Sequence, residues 1–158
     1  MSSILHHNLI PKPVRVEPRA GEFHITAETR ICAQAGLAEA QPAAEYLAGI
    51  LRRLTGYPMP LEAVGEAPGP GSIFLTVQGA PPVLGAEGYR LEVAGDAVTI
   101  RANKFAGFFY GCQTLRQLLP PSEGPWQIPG LDVEDRPRFA WRGLMLDVAR
   151  SFFTVEEI

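Results

Sequence analysis

The chain has 158 residues, of which 46% are hydrophobic and 20% are charged, and its formal net charge at pH 7 is −3. This composition is typical of a globular domain rather than a disordered segment, and the length is sufficient for a core without cross-links. The charged residues are scattered along the chain, which argues against nucleic acid and against a membrane surface as partners.

The N-terminal stretch MSSILHHNLIPKP has neither the apolar centre nor the cleavage pattern of a signal peptide. No window approaches the ~18 apolar residues of a membrane span. We therefore expect a soluble protein made in the cytoplasm, or a secreted one whose leader has been removed. Cys32 and Cys112 lack metal-ligand spacing, so two buried free thiols are expected, with a single disulfide as the alternative. Neither a metal nor a cofactor is predicted.

Residues 13–34 show the alternation of apolar and polar residues that is typical of β-strands. The stretches VRVEP, FHIT and TRICA each alternate, and a turn is predicted between them at Gly21. From about Leu37 to Leu54 the apolar residues instead recur at helical spacing, and Gly56 is expected to end this helix. Residues 60–72 are rich in Pro and Gly and are predicted to form a loop.

The clearest local pattern is GYRLEVAGDAVTIRA, which follows a short apolar strand, SIFLTV. Gly95 and Asp96 suit the two-residue loop of a β-hairpin, since a type II′ turn favours Gly at its first position. The loop fixes the register, because a slip of one residue would move every side chain to the opposite face. The predicted pairs, all on one face, are Val93 with Val98, Leu91 with Ile100, and Tyr89 with Ala102.

The stretch NKFAGFFYGCQTLRQLLPP is predicted to be a helix with Asn103 as its N-cap and Pro120-Pro121 at its end. Its apolar residues form one stripe that we expect to face the core: Phe105, Phe108, Phe109, Cys112, Leu115 and Leu119. Gly107 and Gly111 stand on one side of the helix, where each costs up to ~1 kcal/mol relative to Ala. Close backbone packing is the predicted reason for both glycines.

Residues 120–138 are predicted to be an extended, Pro/Gly-rich connector. The order of strands, helix, hairpin and helix predicts a self-contained α+β domain over residues 1–137. Its sheet is expected to be mixed or antiparallel, with the two helices packed on one face.

The segment after Arg138 has a different pattern. From Trp141 to Ala149 the run WRGLMLDVA is almost wholly apolar on both faces, as expected for a strand of a parallel sheet or barrel. Thr154, with acidic residues behind it, is typical of a helix start. Because a strand followed by a helix is the first unit of an α/β fold, residues 138–158 are predicted to be the start of a truncated (β/α)₈ barrel.

Three charged residues lie within or beside this predicted strand. In (β/α)₈ barrels the chemistry occurs at the C-terminal ends of the strands, and the opposite face serves stability. Arg150 falls just past that end and Asp147 lies near it, whereas Arg142 stands at the start. The guanidinium of Arg150 suits sugar hydroxyls or carboxylates, and a structural ion pair with Asp147 is the alternative.

The terminal run resembles the opening of the catalytic domain in family 20 glycoside hydrolases, the β-N-acetylhexosaminidases, where RG-x-MLD-x-(S/A)-R-H-(F/Y) is typical. The chain supplies most of that run: Arg142, Gly143, Met145, Leu146, Asp147, Ala149, Arg150 and Phe152. The stretches IPKP, GYRLEV and AGFFYGCQTLRQLL are similar to the N-terminal non-catalytic α+β domain of the same family. The resemblance therefore covers nearly the whole chain.

This resemblance implies that Arg150 hydrogen-bonds the hydroxyls of the terminal N-acetylhexosamine, with Asp147 and Ser151 as supporting residues. Ser151 stands where the family usually has His, and it lacks the reach of an imidazole. The family uses substrate-assisted retaining hydrolysis, and its catalytic Asp-Glu pair lies on a later barrel strand, beyond Ile158. The full-length enzyme is expected to release N-acetylglucosamine or N-acetylgalactosamine from glycans or chito-oligosaccharides. We expect the α+β domain to pack on the barrel, and this chain, which has no catalytic residue, to be inactive alone.

Three other interpretations stay open. A standalone structural or interaction module would leave the apolar run after Arg138 exposed, which is an aggregation liability. A carbohydrate-binding module would need aromatic side chains on an exposed face, whereas those of this chain mostly follow core periodicity. Glycosidases of other amino sugars and uronic acids carry a similar N-terminal domain, but the run MLDVAR favours family 20.

Overall fold

The computed structural model describes residues 9–121, 124–150 and 152–158. Within these residues, two α-helices, α1 (Gln41–Thr55) and α2 (Phe105–Gln117), pack against one face of a mixed sheet. The sheet has seven described strands: β1 (Arg15–His24), β2 (Arg30–Gln34), β3 (Leu61–Val64), β4 (Ser72–Thr76), β5 (Tyr89–Val93), β6 (Ala97–Ala102) and β7 (Gln127–Asp135). Their order across the sheet is β1-β7-β5-β6-β4-β2-β3. The predicted α+β class is confirmed.

Two of these strands were not predicted. Residues 60–72, expected to be a loop, contain β3, which pairs parallel with β2 at the edge of the sheet. Residues 120–138, expected to be a connector, contain β7, which lies between β1 and β5 and pairs antiparallel with both. Pro129 hides this strand in the sequence, since proline is rare in sheets, but it pairs next to a bulge, where proline is tolerated.

The predicted turn at Gly21 is wrong, because β1 runs without interruption from Arg15 to His24. The register with β7 shifts between Pro18 and Glu22, so the chain bulges there instead of reversing. Gly21 has φ of 86°, a left-handed conformation that favours glycine. A Cβ on Gly130, across the bulge, would lie 2.8 Å from the carbonyl oxygens of residues 19–21.

The strand pairing of the predicted hairpin is confirmed residue by residue, but its type II′ turn is wrong, because Gly95 does not have the positive φ that this turn requires. β5 and β6 pair antiparallel with the expected partners, Tyr89 with Ala102, Leu91 with Ile100, and Val93 with Val98. All six side chains are buried on the helix-covered face. The N–H of Ala94 donates to the carbonyl of Ala97 at 2.9 Å, which closes a loop of Gly95 and Asp96.

The starts of both helices differ from their predicted positions. α1 begins at Gln41, because turns at Leu37 and Ala40 hold the preceding residues, and it ends at Gly56 as expected. Asn103 does not cap α2. Its amide nitrogen donates to two carbonyl oxygens of the 81–85 turn. The carboxylate of Glu39 instead accepts a hydrogen bond from the first amide of α2, at 3.0 Å.

The apolar stripe of α2 is wider than one face of the helix. Phe108, Cys112 and Leu115 are buried in the core as predicted, but Phe105 is 42% exposed. Each residue advances a helix by about 100°, so Phe109 lies a quarter-turn round from Phe108 and is only half-buried. The prediction that the whole stripe faces the core is therefore wrong for these two rings.

The predicted strand over Trp141–Ala149 is not formed, so the structure does not extend the fold into a barrel strand. Residues 136–150 have no regular secondary structure, and Leu144 and Met145 are 93% and 90% exposed. A strand is held by hydrogen bonds to a neighbouring strand, and no described segment pairs with this run. The helix start predicted at Thr154 is a single 3₁₀ turn, Val155–Glu157, with a capping box.

The two cysteines are free and buried, as predicted. Cys112 faces the core from α2, whereas Cys32 lies on the opposite face of the sheet. Burial raises the pKa of the Cys112 thiol to about 12. Within the described part of the chain, no helix has the length and apolar character needed to cross a membrane.

Asp132 is the centre of an ionic cluster on the sheet face that carries no helix. Its carboxylate, 2% exposed, accepts hydrogen bonds from Arg90 Nε at 3.0 Å and from Arg19 Nη2 at 2.9 Å. Burial opposes the ionisation of Asp132, but the hydrogen bonds from the two arginines outweigh it and hold the pKa below its usual value. Because Arg90 is on β5 and Asp132 on β7, the cluster ties neighbouring strands together.

We expect Asp132→Asn to lower the free energy of unfolding by about 2–3 kcal/mol at pH 7, because it leaves two arginines without their buried partner. The lowered pKa means that this stabilisation is present above about pH 4 and is lost as the pH falls through the folded-state pKa. Urea denaturation of both proteins at pH 7 and pH 3 measures the difference. Glu134→Gln, which removes a half-exposed partner of Arg15, is the control and should cost under about 1 kcal/mol. An Asp132→Asn cost that does not shrink at pH 3 would contradict this.

Close packing accounts for the glycines of α2, as predicted. A Cβ on Gly107 would lie 2.3 Å from the carbonyl oxygen of Gly88, and one on Gly111 would lie 2.6 Å from Ile100 Cγ2.

We expect Gly107→Ala to destabilise the protein by about 1–3 kcal/mol, although alanine favours helix. Gly49→Ala in α1 is the matched control, since its Cβ would meet only Arg53, at 3.6 Å, and it should stabilise by up to about 1 kcal/mol. Equal melting temperatures for the two variants would contradict the packing role.

Candidate functional site

A cleft of about 1120 Å³ opens beside α2. One wall is the N-terminal segment 9–14, the other is the segment 135–142, and the outer side of α2 lies between them. The cleft thus lies where the described chain enters the α+β domain and where it leaves it.

The N-terminal wall is fastened to α2 by one side chain. Gln117 accepts a hydrogen bond from the N–H of Ile10 and donates one to its carbonyl, both at 2.9 Å. The amide thus pairs with the backbone of Ile10 as a neighbouring strand would. The N–H of Val14 donates to Asp135 Oδ1 at 3.2 Å and fixes the other end of this wall.

Buried polar groups form the floor of the cleft. The hydroxyl of Tyr89 is hydrogen-bonded to Thr114, and burial raises the pKa of the Tyr89 phenol. Burial also raises the pKa of Asp135, against the lowering effect of the backbone N–H groups of Val14 and Arg136. Each of these polar groups therefore has a partner within the protein, and Asp135 holds the N-terminal segment through Val14.

The exit wall is fastened by Arg142. Its guanidinium forms an ion pair with Glu87, donates to the Tyr110 hydroxyl at 3.3 Å, and donates to the carbonyl of Phe139 at 2.6 Å. The hydrogen bonds to Glu87 and Tyr110 raise the pKa of Arg142. We call these three contacts the Arg142 clamp. We call residues 138–158 the terminal segment. The clamp places the start of this segment against α2 and against the turn before β5.

The predicted site residues lie beyond this clamp. Arg150 Nε lies 3.3 Å from Asp147 Oδ2, and Asp147 Oδ1 accepts the N–H of Ala149 at 2.9 Å. Asp147 and Arg150 are therefore brought together as an ion pair, while the Arg150 side chain is 90% exposed. The contact of Arg150 with a sugar stays a prediction, and Ser151 lies outside the described residues. Among the described residues, no group of three His, Cys, Asp or Glu could hold a metal ion.

The residues that hold the two walls were not predicted from the sequence. Tyr110 and Gln117 belong to a polar stripe of α2 at helical spacing, with Gln113 between them, and this spacing could have identified them. Glu87 lies in a turn without a recognisable motif, and only the fold brings it to Arg142.

Aromatic side chains cover the outer surface of both helices next to the cleft. Tyr46 and Phe109 have ring centroids 5.0 Å apart, and Phe105 and Phe109 have centroids 6.2 Å apart. Gln113, which lines the cleft, donates to the Tyr46 hydroxyl at 2.8 Å. We call Tyr46, Phe105 and Phe109 the aromatic patch. It is continuous with the cleft through Gln113.

Comparison with known proteins identifies the family. A family model described as glycosyl hydrolase family 20, domain 2, matches residues 6–136. The β-hexosaminidase of Porphyromonas gingivalis is 37% identical over 158 residues, which cover 96% of this chain and 20% of that protein. The β-N-acetylhexosaminidase of Cellulomonas fimi is 38% identical over 152 residues, covering 95% of this chain and 30% of that protein.

A solved structure agrees with these relatives. The N-acetyl-β-hexosaminidase of Streptomyces plicatus, determined in complex with Thio-NAglucal, superimposes with a TM-score of 0.82 at 44% identity. The match covers 98% of this chain and 31% of that one. This chain thus spans between a fifth and a third of the length of these three proteins. The resemblance noted in the sequence is confirmed, and the chain belongs to glycosyl hydrolase family 20.

Proposed function

We propose that this chain is the N-terminal part of a β-N-acetylhexosaminidase. The complete enzyme would hydrolyse terminal N-acetylglucosamine or N-acetylgalactosamine from glycans or chito-oligosaccharides. The observation that carries the proposal is the 37% identity, over nearly the whole chain, to a named β-hexosaminidase. Because most of that relative's length lies outside the match, the proposed activity is that of the complete protein, and this chain alone is expected to be inactive.

The proposed reaction is retaining hydrolysis assisted by the substrate. The oxygen of the sugar's 2-acetamido group attacks the anomeric carbon while a Glu protonates the leaving oxygen, and an adjacent Asp orients the acetamido group. Water then attacks the anomeric carbon and opens the cyclic intermediate, with the same Glu as base. The Asp-Glu pair is proposed to lie in the part of the relatives that this chain does not cover.

This chain is proposed to contribute Arg150 to the substrate site. Its guanidinium is exposed, and Asp147 Oδ2 can orient it, since it lies 3.3 Å from Arg150 Nε. The other N–H groups of the guanidinium are therefore available to sugar hydroxyls. Asp147 and Ser151 are the proposed supporting residues. Ordinary pairing with Asp147 in the absence of sugar is compatible with this role, because an exposed ion pair is weak and easily exchanged.

The α+β domain is proposed to pack on the catalytic barrel through the aromatic patch and the cleft. Two observations support this surface. The patch exposes aromatic rings that the sheet does not cover. The terminal segment also leaves the domain at the same place, through Arg142. A barrel that continues from this segment would begin beside the patch and could cover it without a long linker.

We expect Arg150→Ala to lower kcat/KM of the complete enzyme for an aryl N-acetylglucosaminide by about 10²-fold, since hydrogen bonds from a charged donor are lost. Arg150→Lys keeps the positive charge but loses the planar guanidinium with its paired N–H donors, so it should recover only part of the activity. Arg53→Ala, at an exposed position of α1, is the control and should have no effect. Turnover by the 158-residue chain itself, or an unchanged kcat/KM for Arg150→Ala, would contradict the proposal.

A further inference from the structure

Arg142 is the point at which the terminal segment is attached to the α+β domain. Its guanidinium contacts three acceptors from three places in the chain: the carboxylate of Glu87, the hydroxyl of Tyr110 and the carbonyl of Phe139. The contacts of Asp147 and Arg150, further along, are local to the segment. The position of the proposed sugar-binding arginine therefore depends on how the segment is held at Arg142.

The acceptors of the clamp are rigidly mounted. Gly88, next to Glu87, donates its N–H to the carbonyl of Leu84 at 2.9 Å. A Cβ on Gly88 would lie 2.5 Å from that same oxygen, and its own carbonyl lies against Gly107 of α2. The turn that carries Glu87 and the helix that carries Tyr110 are consequently locked together. Arg142 thus contacts two elements whose backbones are closely packed against each other.

The spacing between Arg142 and Arg150 links the attachment at Arg142 to the position of the proposed sugar-binding side chain. Residues 143–150 form no strand in this structure, but in the proposed barrel strand eight residues would span about 26 Å, which is enough to cross a barrel from one end to the other. A shift of one residue in such a strand moves every side chain to the opposite face. If the strand begins at a fixed position after Arg142, that position determines on which face of the strand Arg150 lies and how far it lies from the start of the strand.

We propose that Arg142, held by Glu87 and Tyr110, is a positioning residue that sets the register of residues 143–150 and so the location of Arg150. The inference rests on the proposed function, and it gives the non-catalytic domain a specific role in substrate binding. Of the three residues that contact Arg142, Glu87 is the farthest from it along the chain.

The test uses the complete enzyme with Glu87→Gln. We expect KM for an aryl N-acetylglucosaminide to rise about fivefold with kcat within about twofold, because Arg150 binds the sugar in the ground state and the transition state alike. Loss of folded enzyme would instead lower kcat and leave KM unchanged.

The matched control is Glu66→Gln, which removes an exposed carboxylate from the loop after β3. It should leave both kinetic constants unchanged. The inference is overturned if the KM of Glu87→Gln equals that of the unaltered enzyme. If the unaltered complete protein hydrolyses no N-acetylhexosaminide, it is the proposed function that fails.

A second measurement on the 158-residue chain tests the clamp independently of activity. Trp141 precedes Arg142 and is 87% exposed, so its rotational freedom reports how firmly Arg142 is held. With Trp126→Phe as background, the fluorescence anisotropy of Trp141 should fall in Glu87→Gln and stay unchanged in Glu66→Gln. An anisotropy that is the same in all three proteins would overturn the inference whatever the complete protein catalyses.

Discussion

The close approach of α2 to the β5-β6 hairpin fixes where the core, the cleft and the Arg142 clamp lie. It exists because Gly107 and Gly111 present no side chain to the sheet, so the helix backbone lies against Gly88 and Ile100. The inner side of α2 completes the core. Its outer side then stands at a fixed distance from the turn before β5, and this spacing creates the cleft and the Arg142 clamp. A helix held farther out would place Tyr110 out of reach of Arg142.

The described domain uses its polar groups to hold chain segments. Gln117 binds the backbone of Ile10, Arg142 is held by Glu87, and both attachments are made on one side of the domain. The opposite face of the sheet carries the ionic cluster around Asp132 and no described helix. This asymmetry suits a domain that lies against another body through its helices. The proposed barrel strand would account for the exposed apolar residues after Arg142, because such a strand is apolar on both faces.

The features that were predicted correctly depend on residues close together in the sequence. The hairpin register followed from Gly95 and the alternation beside it, and the packing role of the α2 glycines followed from their cost in a helix. The missed strands depend on partners far away in sequence, since β7 is defined by β1 and β5 and contains a proline. An ion pair with Asp147 was one of the two roles predicted for Arg150, because both residues were placed near the same end of the predicted strand. Glu87 was not predicted, because 55 residues separate it from Arg142 and only the fold joins them.

We propose that the α+β domain holds the start of a segment whose far end binds the sugar. A crystal structure of the complete protein with N-acetylglucosamine bound would show both ends of this segment. The prediction is that Arg142 keeps its contacts with Glu87 and Tyr110, residues 143–150 form a barrel strand, and the guanidinium of Arg150 lies about 3 Å from a sugar hydroxyl. A structure in which Arg142 has left Glu87, or in which Arg150 points away from the sugar, would contradict it.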